Sequence, residues 1–313
     1  MTPTDLLTHT TLDAVAHSMT ACFLPATMNT LFDYLLDRRS QDPCAWPEFR
    51  RVCATHPLRE QLHQDPFTLR AFTKPRGYAG DAVMMDYIYG LGEASSAEES
   101  ATPLGRAMFQ YMHQQPSARA VRYRRRLIAQ LIDRMAARGS SRVLAIACGH
   151  LREVEISNAV LDEKIEEFVA FDQDAASLQV VAREYEHLNV IPIEGSVRQI
   201  LSGKAHLEQY DFVYAAGLFD YLAEPTARAL MSRMFAMVRP GGKMMVPNFL
   251  PSTREIGYME AFMNWDLIYR DHRGMHSLAL SLDPEQVDGW ECFNDPDDTI
   301  VFLLVSKKRA AKR

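Results

Sequence analysis

The stretch that decides the fold is Ser141 to Asp174, SRVLAIACGHLREVEISNAVLDEKIEEFVAFDQD. Residues 142–147 form a short apolar run typical of a buried parallel strand, and the run stops where a sharp turn gains from the missing Cβ of Gly149. Residues 151–160 carry apolar side chains at helical spacing, and a second apolar run then ends in Asp172. This order predicts a strand, a turn, a helix and a second strand, with Asp172 at the carboxyl edge of a sheet.

The position of Asp172 indicates a nucleoside ligand. It stands 23 residues after Gly149, where a Rossmann-like sheet presents a carboxylate to the two hydroxyls of a ribose. A dinucleotide requires G-x-G-x-x-G for its pyrophosphate, so the single glycine disfavours a nicotinamide cofactor. S-adenosylmethionine carries no phosphate, and a tight turn with a few polar groups is enough for it. We expect this cofactor to contact Ala147, Gly149, His150, Asp172 and Gln173.

The rest of the chain beyond Asp172 alternates strands and helices, which predicts a parallel sheet with helices on both faces. Strands are expected at 189–193, 210–216, the MMVPNF segment after the turn Arg239–Lys243, and a final antiparallel pair at 287–293 and 299–306. Two further pairs follow strands at the ligand-binding edge and are cofactor candidates, Gly195 with Ser196 and Ala216 with Gly217. For Ser196, an ordinary helix N-cap is an equally good interpretation.

Composition excludes several classes of function. A formal charge of −6 over 313 residues disfavours a nucleic-acid partner. No apolar run approaches the roughly 20 residues of a membrane span, and no secretion signal begins the chain, so we expect a cytoplasmic location and no membrane partner. The five cysteines form no C-x-x-C pair, which argues against a zinc site or a disulfide framework. Residues 122–126 are interpreted as a solvated basic helix face, and 307–313 as a frayed basic end.

The N-terminal region predicts helices with one unusual loop. Lys74–Asp81, KPRGYAGD, combines Arg76, Tyr78, Gly80 and Asp81, a set that suits a cationic, adenine-bearing ligand. The alternative is a simple connector in which Asp81 caps the next helix. Residues 93–102 are predicted to be a surface linker, followed by helices at 104–114 and 116–138.

The segment from Ser141 to Asp174 and the Arg239-Pro240-Gly241-Gly242 turn resemble the class I S-adenosylmethionine-dependent methyltransferases. The resemblance implies a Rossmann-like seven-stranded sheet with helices on both faces over residues 116–313, preceded by a helical and lid region over 1–115. The family's glycine turn falls on Gly149, its ribose carboxylate on Asp172, its adenine segment on Gly195-Ser196 and its fourth-strand edge on Ala216-Gly217. Ala145 and His150 depart from the family pattern, and Asp81 or Tyr78 are expected to supply the missing contacts.

The segments KPRGYAGD, ACGHLRE and WDLIYR are together similar to a bacterial small-molecule subgroup. That subgroup includes the carboxyl methyltransferase that makes 3-hydroxy fatty acid methyl esters and enzymes of natural-product clusters. Residues 252–280 are predicted to be an aromatic helix beside the sheet edge. The residues expected to contact the acceptor are Arg76, Phe219, Tyr221, Asn248, Tyr258, Trp265, Tyr269 and Arg270.

Methyl transfer from a sulfonium is an in-line displacement, so alignment and exclusion of water come first and a general base is optional. A carboxylic acid is already ionised at neutral pH, and an arginine is enough to orient it, with Arg270 as the first candidate and Arg76 as the second. A hydroxyl or amine acceptor would require a base, for which His150 and His276 are available.

We therefore expect O-methylation of a small acid. The alternatives are N- or hydroxyl-O-methylation in secondary metabolism and a non-catalytic nucleoside-binding scaffold. The sequence leaves the oligomeric state open, a homodimer included.

Overall fold

The computed structural model describes residues 3–139 and 141–310, so residues 311–313 of the predicted frayed end lie outside the described residues. The chain forms two compact units. The first comprises residues up to Arg119 together with Thr253–Asp266, and the second comprises Ala120–Ser252 and the residues from Leu267 on. The domain ranges 1–115 and 116–313 remain a proposal, because compactness alone does not define independent folding. No described helix has the length and apolar character needed to cross a membrane.

The elements follow one another along the chain as fifteen α-helices and seven strands in the described residues. The helices are α1 (Pro3–Ser18), α2 (Leu24–Gln41), α3 (Trp46–Thr55), α4 (Leu58–Leu62), α5 (Pro66–Thr73), α6 (Ala82–Tyr89), α7 (Ala94–Ser100), α8 (Pro103–His113), α9 (Pro116–Ala136), α10 (Asn158–Leu161), α11 (Ala175–Glu184), α12 (Val197–Leu201), α13 (Glu224–Ala236), α14 (Ile256–Phe262) and α15 (His272–Ala279). The strands are β1 (Ser141–Ile146), β2 (Ile165–Asp172), β3 (Val190–Glu194), β4 (Tyr210–Tyr214), β5 (Val238–Phe249), β6 (Val287–Asn294) and β7 (Ile300–Lys307). Two short 3-10 helices cover Arg152–Ile156 and Phe219–Tyr221.

The second unit contains one seven-stranded sheet in the order β3-β2-β1-β4-β5-β7-β6. The strands from β1 to β5 are parallel, whereas β7 runs antiparallel between β5 and β6. This confirms the predicted methyltransferase-type sheet. The order reverses at β1, which pairs with β2 on one side and β4 on the other, and a reversal of this kind is where open α/β sheets bind ligands.

Burial explains why the central strands were recognisable in the sequence. The strands β1, β4, β5 and β7 are adjacent in the sheet. Each contributes a completely buried side chain to one hydrophobic cluster, namely Leu144, Val213, Met244 and Val301. A strand covered by helices on both faces has no solvent-facing side, so it appears as a continuous apolar run. Each fully buried aliphatic side chain contributes about 1.5–3 kcal/mol relative to an exposed one.

The turn expected at Arg239–Lys243 lies inside β5 rather than before it. Tyr210 pairs with Val238, but Phe212 pairs with Lys243, so β5 carries extra residues in a bulge opposite β4. Gly241 within the bulge has a φ of +84°, a conformation that glycine adopts without strain.

Two predicted local structures are wrong. The helix expected over 151–160 is broken into the 3-10 helix and α10, because Ser157 leaves the helical conformation and caps α10 by accepting a hydrogen bond from the Val160 N–H. The linker expected over 93–102 contains α7, since its alanine and glutamate residues favour a helix as much as a loop.

The single helix expected over 252–280 is also wrong, because α14 and α15 are separated by residues 263–271. Within the first unit, α14 packs closely on α2, and a Cβ on Gly257 would come within 2.9 Å of three atoms of Leu35. Glu260 of α14 accepts hydrogen bonds from Arg39 and from the Trp46 indole N–H. These contacts tie Thr253–Asp266 to the N-terminal helices.

The basic cluster on α9 is not a solvated face. Arg124 is 4% exposed, and Arg125 donates hydrogen bonds to the carbonyl of Arg152 and to Glu155. Arg126 alone of these three arginines is exposed. The frayed end is wrong for Lys307, whose ammonium group donates to two backbone carbonyls in the second unit.

Candidate active site

The turn after β1 adopts a left-handed backbone at alternate residues. Ala147, Gly149 and Leu151 have φ values of +53°, +56° and +54°. This conformation costs a residue with a Cβ about 1–2 kcal/mol, so Ala147 and Leu151 hold strain that glycine at these positions would relieve. Strain of this kind is concentrated at ligand-binding sites, where the surrounding structure fixes the backbone. The sequence identified only the glycine at the centre of the turn.

Asp172 holds this turn in place. Its Oδ2 accepts a hydrogen bond from the Gly149 N–H at 2.8 Å, and its Oδ1 accepts one from the Asp174 N–H at 2.9 Å. Asp172 is 5% exposed, and burial raises the pKa of its carboxyl while the backbone N–H groups lower it. Each carboxylate oxygen can accept a further hydrogen bond, so Asp172 fits the two hydroxyls of a ribose.

His150 and Gln173, which directly follow Gly149 and Asp172, differ in exposure. His150 is 5% exposed inside the turn, whereas Gln173 is exposed directly after β2. Cys148 lies in the same turn, and burial raises the pKa of its thiol well above the usual range, which disfavours the reactive thiolate. A ligand of this turn would therefore meet mainly its backbone, and the roles of His150 and Gln173 remain predictions.

The Gly195-Ser196 pair follows β3 and has a clear structural role. Ser196 forms a capping box with Gln199 at the start of α12, which supports the N-cap interpretation. A Cβ on Gly195 would lie 2.4 Å from the ring of Phe171, so only glycine fits beside this side chain. An adenine contact at this pair remains a prediction.

A buried arginine of α9, Arg124, lies beside the end of β4 at the ligand-binding edge of the sheet. Ala216 and Gly217 are half-buried there, and a Cβ on Gly217 would lie 3.6 Å from Nη1 of Arg124. The guanidinium of Arg124 also lowers the pKa of Glu153, although burial dominates and raises it overall. Glu153 in turn accepts a short hydrogen bond from the Tyr214 hydroxyl.

The guanidinium of Arg270 is occupied by the protein itself, so its predicted role as a carboxylate clamp has no support from its surroundings. Nη1 donates to the carbonyl of Phe219 at 2.7 Å and to Oδ1 of Asn248 at 2.8 Å, Nη2 donates to the carbonyl of Leu222, and Nε lies 3.4 Å from a carboxylate oxygen of Glu224. Four of the five N–H groups of the guanidinium are thus used, which leaves no pair for a bidentate acceptor.

Asn248 is likewise structural. It is completely buried, and its amide group donates to the carbonyls of Phe249 and Ile268 while its oxygen accepts from Arg270. Phe219 is completely buried in the hydrophobic cluster, so its side chain serves the core. Acceptor contacts of Asn248 and Phe219 therefore remain predictions without support from these surroundings.

Asp220 is the residue at this edge that the sequence analysis missed. It follows β4 by six residues, is 3% exposed, and its Oδ1 accepts a hydrogen bond from the Phe249 N–H at the end of β5. Burial raises the pKa of its carboxyl to about 6, although the charges of Arg124 and Arg270 lower it. An acidic residue shortly after an apolar strand, close to a predicted site, was the available signal.

The remaining acceptor candidates of the second unit are dispersed. Tyr221 is 38% exposed next to Asp220, and Tyr269 is half-buried. His276 is exposed on α15, and its ring packs at a tilt against that of Trp290 of β6, with ring centroids 4.6 Å apart. Since β6 is the edge strand farthest from β2 and β3, His276 does not belong to the edge that carries Gly149 and Asp172.

In the first unit, the loop Lys74–Asp81 is confirmed as irregular, with left-handed backbone at Lys74 and Gly77. Asp81 is completely buried, caps α6 through the Met84 N–H and pairs with Arg70 at 2.7 Å. This confirms Asp81 as a helix cap. Half-buried positions in the same loop are Arg76, Tyr78 and Gly80, whose contacts with a ligand remain predictions.

The aromatic candidates of α14 and the following segment are buried in the first unit. Tyr258 is 1% exposed, and its hydroxyl lies 2.9 Å from that of Thr68. Trp265 is 7% exposed. Tyr258 packs on Phe32 and Phe262 as part of a core. Its surroundings within this unit therefore give no support to the predicted contact with the acceptor.

Among the described residues, no group of histidine, cysteine, aspartate and glutamate side chains forms a metal site. Residues 143–242 match a protein family described as a methyltransferase domain. No curated protein matches the chain in sequence.

Two solved structures share the fold. A possible exported protein from Bordetella parapertussis is 13% identical, with 99% of this chain and 100% of that chain covered and a TM-score of 0.62. The CurJ carbon methyltransferase is 10% identical, with 80% and 69% covered and a TM-score of 0.52. At these identities the likeness shows the fold alone, whereas the family match covers the turn after β1, Asp172 and the end of β4.

Proposed function

Because the chain is an S-adenosylmethionine-dependent methyltransferase with a class I methyltransferase domain, we propose that it methylates a small organic acid at a carboxylate oxygen. The observation that carries the proposal is the buried guanidinium of Arg124 beside Gly217, which follows β4. In the sheet, β4 is the neighbour of β1, whose following turn is the candidate cofactor site. The positive charge of a buried arginine at this edge favours an anionic acceptor over a neutral one.

The residues of the second unit divide the task between two pairs of strands. The turn after β1 and Asp172 at the end of β2 would hold the nucleoside, while Arg124 and the ends of β4 and β5 would hold the acceptor. Bound S-adenosylmethionine supplies an electrophilic methyl group. The protein's own residues then align the acceptor oxygen with it and exclude water, which is the main requirement for an in-line displacement.

A carboxylate acceptor requires no proton removal, which agrees with the positions of the histidines. His276 lies beside β6, and His150 is buried in the cofactor turn. Methylation of a hydroxyl or amine in secondary metabolism is the second candidate. Asp220 favours it, because a buried carboxylate at the acceptor edge is suited to accept a proton.

The lid role of Lys74–Asp81 is part of the proposal, with Tyr78 and Gly80 contributing to the cofactor and Arg76 to the acceptor. Asp81, which is completely buried, would support the loop through its helix cap and its ion pair with Arg70. Hydrogen exchange with and without S-adenosylhomocysteine tests it, because a closing loop becomes protected on binding. Equal exchange in both states would return the loop to a connector. The cytoplasmic location expected from the sequence also stays a prediction.

The acceptor class is tested by incubating the protein with S-adenosylmethionine carrying a deuterated methyl group and a panel of acids, alcohols and amines, followed by mass spectrometry. Fatty acids, benzoic acids and their hydroxylated forms represent the proposed class. Matched primary alcohols and amines represent the second candidate. Labelled esters from the acids support the proposal, and label confined to ethers or amines refutes it.

A further inference from the structure

Asp220, which lies beyond β4 and contacts the end of β5, has one carboxylate oxygen, Oδ2, without a hydrogen bond in the part of the chain that the structure describes. Its Oδ1 is bound by the Phe249 N–H at 2.8 Å, and its backbone carbonyl accepts from the Ile268 N–H at 2.7 Å. Within the described residues, Oδ2 takes part in no hydrogen bond. Asp220 as a whole is only 3% exposed, but Oδ2 itself is not fully buried, so this oxygen can meet solvent or a ligand.

The charges around Asp220 come from two elements. Arg124 faces it from α9, and Arg270 faces it from the segment before α15. Each arginine has an acidic neighbour of its own, since Arg270 lies against Glu224 and the charge of Arg124 also acts on Glu153. Phe249 at the end of β5 adds an uncharged N–H donor. Burial outweighs these positive charges, so the neutral carboxyl is accessible near neutral pH.

We propose that Asp220 binds the acceptor in its protonated form and donates a hydrogen bond from Oδ2 to the acceptor's carboxylate. The inference rests on the proposed function. The ionised carboxylates of Asp220 and of the acceptor would repel each other in hydrogen-bond contact. One proton shared between them relieves this repulsion. Asp220 would therefore be a positioning and specificity residue that selects an acid and takes up one proton as the acid binds.

The proton and electron balance of the transfer is complete under this assignment. One acceptor oxygen accepts the hydrogen bond from Asp220, and the other forms the new C–O bond with the methyl carbon. The sulfur keeps the electron pair of the C–S bond that breaks. The Asp220 proton is not consumed, and it returns to solvent when the neutral ester leaves.

The test compares wild type with Asp220→Asn between pH 5.5 and 8, using octanoate and benzoate as acceptors and saturating S-adenosylmethionine. Asparagine can accept from the Phe249 N–H and donate permanently to the acceptor. The wild-type KM should rise about tenfold per pH unit above the pKa of Asp220 in the acceptor-free enzyme, until the pH reaches the higher pKa of the acceptor complex. The KM of Asp220→Asn should be independent of pH and lower than that of wild type at pH 8. Asp288→Asn, an exposed change on β6, serves as the charge-matched control.

Two outcomes overturn the inference. If turnover in a folded Asp220→Asn protein falls by about 100-fold or more, Asp220 is a general base, because this is the order of magnitude expected for such a group. Identical pH profiles in both proteins would make it purely structural.

Carbon-13 titration of the Asp220 carboxyl with S-adenosylhomocysteine bound provides a test without any acceptor. A pKa below about 4, the ordinary aspartate value, would also overturn the inference. If no acid yields an ester, the proposed function fails, and this titration still decides the state of Asp220.

Discussion

The Gly149 N–H donates a hydrogen bond to Oδ2 of Asp172 across 2.8 Å, and this bond joins the turn after β1 to the end of β2. The same carboxylate is the candidate acceptor for the ribose hydroxyls. Asp172 therefore shapes the turn and offers its remaining acceptor capacity to the ligand, so its removal should affect cofactor binding in both ways.

Replacing Asp172 by Ala should weaken binding of S-adenosylhomocysteine by about 1.5–3 kcal/mol, because charge-assisted hydrogen bonds to the ribose are lost. Isothermal titration calorimetry measures the change. Glu194→Gln is the matched control, since Glu194 pairs in register with Asp172 at the end of β3 but is exposed. Equal affinities of wild type and Asp172→Ala would remove Asp172 from the site.

Ala147→Gly should raise the free energy of unfolding by up to about 1 kcal/mol, because glycine relieves the left-handed strain but loses more backbone entropy on folding. Chemical denaturation measures it. Ala145→Gly, in the preceding strand with no such backbone strain, should instead be destabilising. If both substitutions destabilise the protein equally, the φ of Ala147 stores no strain.

The strands were predictable because their burial on both faces leaves a continuous apolar run, as in Val143 to Ile146. The helix expected after Gly149 was not, because the apolar spacing is helical although Ser157 competes as a cap for α10. The helix expected over 252–280 failed for a different reason. Its first half packs on the N-terminal helices through Gly257, and such a long-range contact has no local signature.

The acceptor residues were predicted less well than the cofactor residues. Arg270 was a sound candidate by chemistry, yet its hydrogen bonds to backbone carbonyls are invisible in a sequence. The burial of Arg124 was predictable, since it shares the apolar face of α9 with Val121 and Ile128 at spacings of three and four. An arginine on that face is expected to be buried and paired.

Acidification should stabilise the protein through Asp65. This residue caps α5 by accepting from the Phe67 and Thr68 N–H groups, and complete burial raises its pKa to about 6. The folded state therefore binds the proton more tightly than the unfolded chain. The stability that this group contributes is greatest below the unfolded pKa of about 4, and it is lost as pH rises through about 6.

Between pH 7 and pH 5 the contribution of Asp65 amounts to about 1 kcal/mol, calculated from its raised pKa of about 6. Asp65→Asn should remove this part of the pH dependence in urea denaturation, whereas the exposed change Asp37→Asn should leave it in place. An unaltered pH dependence in Asp65→Asn would contradict the assignment.

Arg124→Met should raise the KM for an acid acceptor by roughly 10- to 100-fold, because a charge-assisted hydrogen bond contributes about 1.5–3 kcal/mol. Affinity for S-adenosylhomocysteine should be retained. Arg126→Met, an exposed arginine on the same helix, is the control. If Arg124→Met instead loses affinity for S-adenosylhomocysteine but not for methylthioadenosine, which lacks the amino-acid end, Arg124 holds the cofactor's carboxylate rather than the acceptor's.

Methylation at a carboxylate oxygen gives an ester, and treatment with alkali distinguishes an ester from an ether or a methylated amine. The protein is incubated with S-adenosylmethionine carrying a radioactive methyl group and with octanoate or benzoate, and the product is treated with mild alkali. If the methylated atom is a carboxylate oxygen, the label is released as volatile methanol, because esters hydrolyse under these conditions. Label that remains in an alkali-stable product, as in an ether or a methylated amine, would contradict methylation at a carboxylate oxygen.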